Sequence, residues 1–488
     1  MPKILLLSLN WGESGEMGAM TKDALAMPLE FVYLSTDLTN RNLDHEFIDC
    51  WVNNYSMENL REKIKQAEVV VLCSSPSYLF WRDGIINIHL VTSTLAKIKQ
   101  INPLIKTILI GPHGTVIPES FNGVSLDFIY KGEPDLVVPQ LISNLLAGIS
   151  TNVPLPGVTP SKNGNFESQS VGVQVDDLAS LAPMNFSKFK ISDYPHPKPY
   201  GPVAQDKSAI IYEASRGCPY SCIYCFKVNF RDKFRMKPLA TIETELRYLA
   251  DKNVGYVYLI DEIFFMDRAW STEVMKLLKK YHIFFGCQTR PSLLTKEMTD
   301  AIIELGMAGL IQVGLEHTDS EVLKAIRKGE TDVELLAQSL HRLADAGITL
   351  DLFIVTGLPK DTQEKIMAMG KIFETFPMTK ARPIIHSVIP LPGTKLWQMG
   401  QAEGRSLKTW DDIEKYKGVI GTKFKNSEEV NLASYQLAGR LREIEDAQRI
   451  KAKIGSHALN YAKLLKHKLD SRIPRVMRAI TELKKKMT

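Results

Sequence analysis

The chain has 488 residues, of which 44% are hydrophobic and 24% charged, with a formal net charge of +5. That length exceeds one ordinary core and predicts roughly two to four globular domains. No stretch reaches the roughly 18 apolar residues of a membrane span, the run Ile4-Leu5-Leu6-Leu7 is too short for a signal-peptide core, and six cysteines in so long a chain are not a disulfide framework. A cytoplasmic protein in a reducing compartment is the expectation. The charge is unevenly spread: residues 451–488 carry eleven Lys or Arg against Asp470 and Glu482, an excess of nine that leaves residues 1–450 at −4.

From residue 1 to about 145, short apolar runs alternate with helical text: Ile4–Ser8, His45–Asp49, Val69–Cys73, Thr107–Gly111 and Asp127–Tyr130. Five strands spaced by helices predict a doubly wound parallel sheet, an α/β fold whose ligands bind beyond the carboxyl ends of the strands. Small and polar residues gather there, in Asn10-Trp11-Gly12, Ser74-Ser75-Pro76-Ser77, Gly111-Pro112-His113-Gly114-Thr115 and Lys131-Gly132-Glu133. Residues 146–205 are rich in Pro, Gly, Asn and Ser, including Pro195-His196-Pro197-Lys198-Pro199, and read as a linker.

From about 206 to 400 the text repeats strand, loop and helix six times, with strands at Ala209–Ala214, Tyr256–Ile260, Phe284–Thr289, Leu310–Leu315, Leu350–Thr356 and Pro383–Ile389. Six β/α units predict a partial (β/α)6 barrel of the TIM type, with function at the carboxyl ends of its strands. Those ends carry Asp261-Glu262, Arg290, Glu316-His317, Gly357-Leu358-Pro359 and Pro392-Gly393-Thr394. After the first strand comes Arg216-Gly217-Cys218-Pro219-Tyr220-Ser221-Cys222-Ile223-Tyr224-Cys225, three of the six cysteines within eight residues. Thiolates this close suit a thiophilic centre, zinc or an iron–sulfur cluster, or else are buried structural thiols. A compact zinc site with one histidine is not apparent, because the nearest histidines are His196 and His282. Residues 401–488 read as a C-terminal helical region. Its last part has Ile454, Ala458, Tyr461, Leu465 and Leu469 at helical spacing among lysines, then a cap at Ser471 with Pro474 in the first turn of a final basic helix.

The spacing Cys218-x3-Cys222-x2-Cys225 resembles the signature of the radical S-adenosylmethionine (SAM) superfamily, and the barrel-end succession over nearly 400 residues resembles its cobalamin-binding members. The loops around Gly111–Thr115 and Lys131–Asp135 look like the cobalamin-binding domain that precedes many such barrels, and Asp176–Pro183 resembles their connector. The resemblance implies domains at 1–145 (cobalamin-binding, flavodoxin-like) and 206–400 (radical SAM barrel). It implies a 4Fe-4S cluster on Cys218, Cys222 and Cys225. SAM would chelate the open iron, with Tyr224, Asp261, Glu262, Arg290, Glu316 and Gly357 around it, and cobalamin would lie on Ser74, Ser75, Gly111, His113, Gly114, Gly132 and Glu133. The Asp-x-His-x-x-Gly motif that gives cobalt a histidine is absent, since His45 follows Asp44 directly, and His113 reads as a loop residue near the ligand.

The implied activity is methylation of an unactivated carbon through a 5′-deoxyadenosyl radical and methylcobalamin. The alternatives are a non-methylating radical cyclisation or rearrangement, and a non-catalytic cobalamin or cluster sensor. The expected partners are a small-molecule, lipid or peptide substrate and an external electron donor such as flavodoxin or ferredoxin, with no nucleic acid. The basic C-terminus has three readings: packing on the barrel, a surface for acidic partners, or peripheral membrane contact through Leu465, Leu469, Ile473, Val476 and Ile480.

Overall fold

The computed structural model describes residues 3–13, 27–76, 88–149, 154–167, 172–194, 201–226, 231–329 and 331–469, and of residues 411, 414 and 454–469 only the backbone. The readings made for Ser77, for 195–199, for the side-chain stripe from Ile454 to Leu469, and for Ser471, Ile473, Pro474, Val476 and Ile480 lie outside what is described.

The first sheet contains β1 (Ile4–Ser8), β2 (His45–Asp49), β3 (Val69–Cys73), β4 (Lys106–Ile110), β5 (Phe128–Tyr130) and β6 (Val158–Pro160) in the order β2-β1-β3-β4-β5-β6. The first five strands are parallel, as their apolar runs require: β1 and β3 are buried at every position because helices cover both faces. β6 is antiparallel to β5 and comes from the stretch read as linker. The same stretch continues as a packed strap that holds the two sheets together. Phe186, Phe189, Ile191 and Tyr194 are buried, the Asn185 N–H donates to Thr36 Oγ1 at 2.9 Å, and the Tyr194 hydroxyl donates to Asp49 Oδ2 at 3.0 Å. The Met184 N–H reaches Glu245 Oε1 at 2.8 Å on the far side.

The second sheet holds β7 (Ser208–Tyr212), then β10 (Val254–Leu259), β11 (Phe284–Thr289), β12 (Ala308–Glu316), β13 (Thr349–Thr356) and β14 (Ala381–Ser387). The intervening β8 (Ser215–Arg216) and β9 (Arg235–Met236) form a small antiparallel pair of their own. Its order, β14-β13-β12-β11-β10-β7, is all parallel with helices between successive strands, an open half-barrel whose edges are β7 and β14. Side-chain caps start most of these helices and the one after β14: Asp267, Thr295, Asp332 and Thr362, then Thr394, each accept a backbone N–H of the first turn.

One long helix, Ser427–Leu469, closes the fold. Val430, Ala433, Leu437, Leu441 and Ile444 recur every three or four residues and are buried, so its first half packs against the helix Gln363–Phe373 and the edge strand β14. Gln448 Nε2 donates to Phe376 O at 2.9 Å, and Arg440 pairs with Glu374 at 2.7 Å. No helix among the described residues is long and apolar enough to cross a membrane.

Candidate active site at the mouth of the half-barrel

The cysteine loop leaves β7 and is held by backbone hydrogen bonds beyond the buried Arg216 side chain at its root. The N–H groups of Ala214 and Ser215 donate to the Asp261 carboxylate at 3.0 and 2.6 Å, and the Ser215 hydroxyl joins them. The Gly217 N–H donates to Glu262 Oε2 at 2.8 Å, and Cys218 N–H to Arg231 O at 3.1 Å. Further along, the Ile223 N–H meets Ile326 O at 3.2 Å while its carbonyl takes the Leu396 N–H at 2.9 Å. This scaffold places Cys218, Cys222 and Cys225 round one cavity of about 400 Å³, shared with Tyr224, Glu262, Arg290, Glu316 and Lys328. No disulfide joins any of the six cysteines, and among the described residues no group of three or more His, Cys, Asp or Glu is placed to hold a single metal ion. Three thiols that line a cavity fit a polynuclear cluster, which they grip from outside, rather than the closed tetrahedron of a zinc loop.

The far wall of the cavity is charged. Arg290, at the end of β11, lays its guanidinium 3.6 Å over the Tyr220 ring, donates through Nη2 to Lys328 O, and has Nη1 3.8 Å from Cys222 Sγ. Lys328 is buried, with its Nζ 2.9 Å from Glu316 Oε1. Sequence reasoning missed this lysine, which lies in a turn after a short helix rather than at a strand end. Glu316 itself sits at φ +64°, a backbone strain that turns its carboxylate over the cavity. Burial pushes the Tyr224 phenol well up, and Glu316 and the Cys222 and Cys225 thiols push the same way, so it stands as a neutral hydrogen-bond donor beside the cluster position.

Several sequence expectations need correction. Asp261 does not face the cavity: it is buried at the loop backbone, and burial pushes its carboxyl up to about 7 against the pull of the Ser215 and Ala214 hydrogen bonds. Glu262 does line the cavity, but its oxygens are taken by Gly217 N–H and, at 2.9 Å, by Arg231. Gly357 is required by a close approach of the C-terminal segment, since at φ +72° a Cβ there would lie 2.4 Å from Gly418 O. Gly132, at φ +107°, is likewise packed on Val173, whose backbone O would lie 2.2 Å from a Cβ.

Glu133 is the largest correction. Its carboxylate accepts from Arg231 Nε at 2.8 Å, from both terminal nitrogens of Arg235 at 2.7 and 2.9 Å, and from Val175 N–H at 2.7 Å. Burial works to raise its carboxyl, and Arg216, Arg231 and Arg235 together outweigh it and hold the group below the usual carboxylate range. Arg216, two residues before Cys218, forks onto Asp135 at 2.8 and 2.9 Å and reaches Glu213 at 2.8 Å, while Arg231 bonds Glu213 at 2.7 Å. The loop expected to touch cobalamin thus ties the first sheet to the root of the cysteine loop through fully buried charges.

At the first sheet, the ends of β1 and β3 flank the point where strand order reverses, the place where doubly wound folds take ligands. Ser74, Ser75, Gly111, His113 and Gly114 gather beside it and are buried. Ser74 Oγ accepts from His113 N–H at 3.2 Å and lies 3.1 Å from His113 Nδ1, and the imidazole rests on the Trp410 ring with centroids 4.3 Å apart. Trp410, brought by the C-terminal segment and also 6.5 Å from Phe226, was not foreseen. What these residues offer a corrinoid is backbone, hydroxyl and ring surface.

Residues 212–371 match the family model of the Radical SAM superfamily. Among curated relatives, an uncharacterized methyltransferase of Pyrococcus horikoshii is 22% identical over 83% of this chain and 85% of its own. The anaerobic magnesium-protoporphyrin IX monomethyl ester cyclase of Rubrivivax gelatinosus is 24% identical over 76% of this chain and 65% of its own. Among solved structures, the radical SAM methyltransferase TsrM of Kitasatospora setae, with cobalamin and a [4Fe-4S] cluster bound, superposes with TM-score 0.63 at 15% identity, over 83% of this chain and 76% of that one. The chain therefore carries a radical SAM domain at 212–371 within the fold of a cobalamin-binding radical SAM protein.

Proposed function

We propose that this protein is a cobalamin-dependent radical SAM enzyme that methylates an unactivated carbon of a small-molecule, lipid or peptide substrate. The observation that carries the reading is the opening of Cys218, Cys222 and Cys225, after the first strand of a parallel half-barrel, onto the same cavity as Arg290, Glu316 and Lys328. In this reading residues 1–145 are the cobalamin-binding unit, 146–205 the connector, 206–400 the barrel and 401–488 a C-terminal helical region.

When bound, a three-cysteine [4Fe-4S] cluster supplies the electron that splits SAM to a 5′-deoxyadenosyl radical, and methylcobalamin supplies the methyl group. The chain's own residues bind and orient. Arg290 presents a planar fork suited to a carboxylate and is already stacked on Tyr220, so little rotamer freedom is lost when it engages SAM. Lys328 adds a second cation, Glu316 takes an ammonium or ribose hydroxyl, and Tyr224 lies beside the adenine. Phe353 and Val355 give the cavity an apolar side that keeps water from a radical. Asp261 and Glu262 hold the loop that carries the thiols. The electron comes from an external donor such as flavodoxin or ferredoxin, in a cytoplasmic setting, and the basic C-terminus is the candidate contact for anionic membrane.

A second reading, radical cyclisation without methyl transfer, is favoured by the cyclase name of the Rubrivivax relative. One experiment separates the two. Reconstituted anaerobically to about four iron and four sulfide per chain, and given reductant, cobalamin and substrate, a methyltransferase releases S-adenosylhomocysteine together with 5′-deoxyadenosine. Deoxyadenosine alone with a dehydrogenated product establishes the cyclase instead. Co-sedimentation with anionic vesicles, reversed by salt and lost on truncation after Lys451, tests the membrane contact.

A further inference from the structure

Interiors of β/α barrels are ordinarily filled by branched apolar side chains, yet this half-barrel carries five polar ones in a single hydrogen-bonded row. They are Tyr258 on β10, Gln288 on β11, Gln312 on β12, Asp351 on β13 and Arg382 on β14, and the last four are direct cross-strand neighbours in the register. Gln288 and Gln312 line the cavity, whereas Asp351 is buried and Arg382 emerges at the open edge of the sheet.

The row has a direction, and the Asp351 carboxylate, paired with Arg382, sets it. Arg382 donates to Asp351 Oδ1 through Nε at 2.8 Å and Nη2 at 2.7 Å. Asp351 Oδ2 takes Gln312 Nε2 at 3.0 Å. A carboxylate only accepts, so the Gln312 amide must turn its NH2 to Asp351 and its oxygen to Tyr258. The Tyr258 hydroxyl then donates to Gln312 Oε1, and its lone pair takes Gln288 Nε2 at 2.9 Å. That leaves Gln288 Oε1 turned away from the row. A glutamine amide is otherwise free to present either end; here the choice is made two strands away, at Asp351.

We propose that Gln288 Oε1 is a fixed hydrogen-bond acceptor in the cavity wall that selects substrates presenting an N–H or O–H donor to it. Asp351 and Arg382 are positioning residues that act through Gln312 and Tyr258. An analogue with a methyl in place of that hydrogen leaves the carbonyl unpaired in a closed site and is rejected for that reason. The proposal rests on the reading of this cavity as the place where SAM and substrate meet.

The test uses the cluster-loaded full chain with SAM and two matched probe pairs, indole against 1-methylindole and phenol against anisole, titrated by ligand-observed NMR. The donor member of each pair is expected to bind about ten-fold tighter, and the ratio to fall to about one in Gln288→Leu. Asp351→Asn, whose side chain does not line the cavity and can turn a donor to Gln312, is expected to lower the same ratio by freeing the amides to turn, whereas a merely structural loss weakens both members alike. Equal affinities in the wild type, or a ratio unmoved by Gln288→Leu, overturn the proposal. SAM affinity is read in the same samples: if SAM does not bind, the functional reading fails, and if SAM binds while the ratio is one, this inference fails alone.

Discussion

The two parallel sheets obey one rule and meet it in opposite ways. At the half-barrel the strand ends stand back from each other, and the space between them is a cavity of about 400 Å³ lined by thiols and charges. At the first sheet the expected ligand residues close on themselves, Ser74 on His113 and His113 on Trp410. The difference lies in what holds each loop. The cysteine loop is gripped at its backbone by Asp261, Glu262 and Arg231, and its three cysteines line the cavity. In the Gly111–Thr115 loop the backbone and a side chain are held together, His113 through its N–H and Nδ1 at Ser74 Oγ and through its ring on Trp410. A strand-end motif therefore announces a binding site most reliably where neighbouring groups satisfy its backbone.

The comparison is broken most completely at Cys222. Cys222→Ala is expected to lose most of the iron taken up on reconstitution and all SAM cleavage while the fold survives, as circular dichroism would show. A variant with full iron content that still cleaves SAM removes the cluster assignment. Next in size is Glu133→Leu. Deleting one member of a buried ion-pair network strands the others, at a cost of about 3–5 kcal/mol, so the melting temperature should fall by several degrees. Because Arg216 and Arg231 root the cysteine loop, iron uptake should fall with it. Full iron uptake in a destabilised variant would mean that the network joins the sheets without supporting the loop.

Much of this was legible in the text and some could not be. Both sheets follow from apolar runs such as Val69–Cys73, because a strand buried on both faces must read as a continuous hydrophobic stretch. The cysteine cluster was legible because its chemistry is local in sequence. Glu133 misled because a glycine–acid phrase after a strand suits a ligand and a domain contact equally, and its arginine partners lie some 100 residues away. Lys328 and Trp410 carry no local signal, since only the fold brings a turn lysine to Glu316 and an exposed-looking tryptophan onto His113. The row from Tyr258 to Arg382 was hidden for the same reason: each polar residue looks like an ordinary interruption of its own strand, and the register alone aligns them.

A smaller effect sharpens the contrast through pH. Asp261 in the folded protein holds its proton up to about 7, while in the unfolded chain an ordinary aspartate loses it near 3.9. Between those values the unfolded state binds fewer protons than the folded one, so this group's contribution to stability is largest below about pH 4 and is lost as pH rises to about 7. Asp261→Asn removes that slope. Chemical denaturation of both proteins at several pH values between about 4 and 8 checks it, and parallel pH profiles would show that the carboxyl titrates normally in the fold.

The smallest expected effect is at His113, and its smallness is what gives it value. The imidazole is fully buried, with Nδ1 held by Ser74 Oγ and one face on Trp410, so it reaches a metal only if the loop opens. Loaded with cob(II)alamin, the protein is therefore expected to show an EPR spectrum without nitrogen superhyperfine splitting from an axial imidazole. His113→Phe, which keeps a flat ring on Trp410, should leave that spectrum unchanged. Splitting in the wild type that vanishes in His113→Phe would mean that the loop opens when the corrinoid arrives. The closed strand ends of the first sheet would then be a resting state, and the contrast with the preformed cavity of the half-barrel would be one of timing rather than of construction.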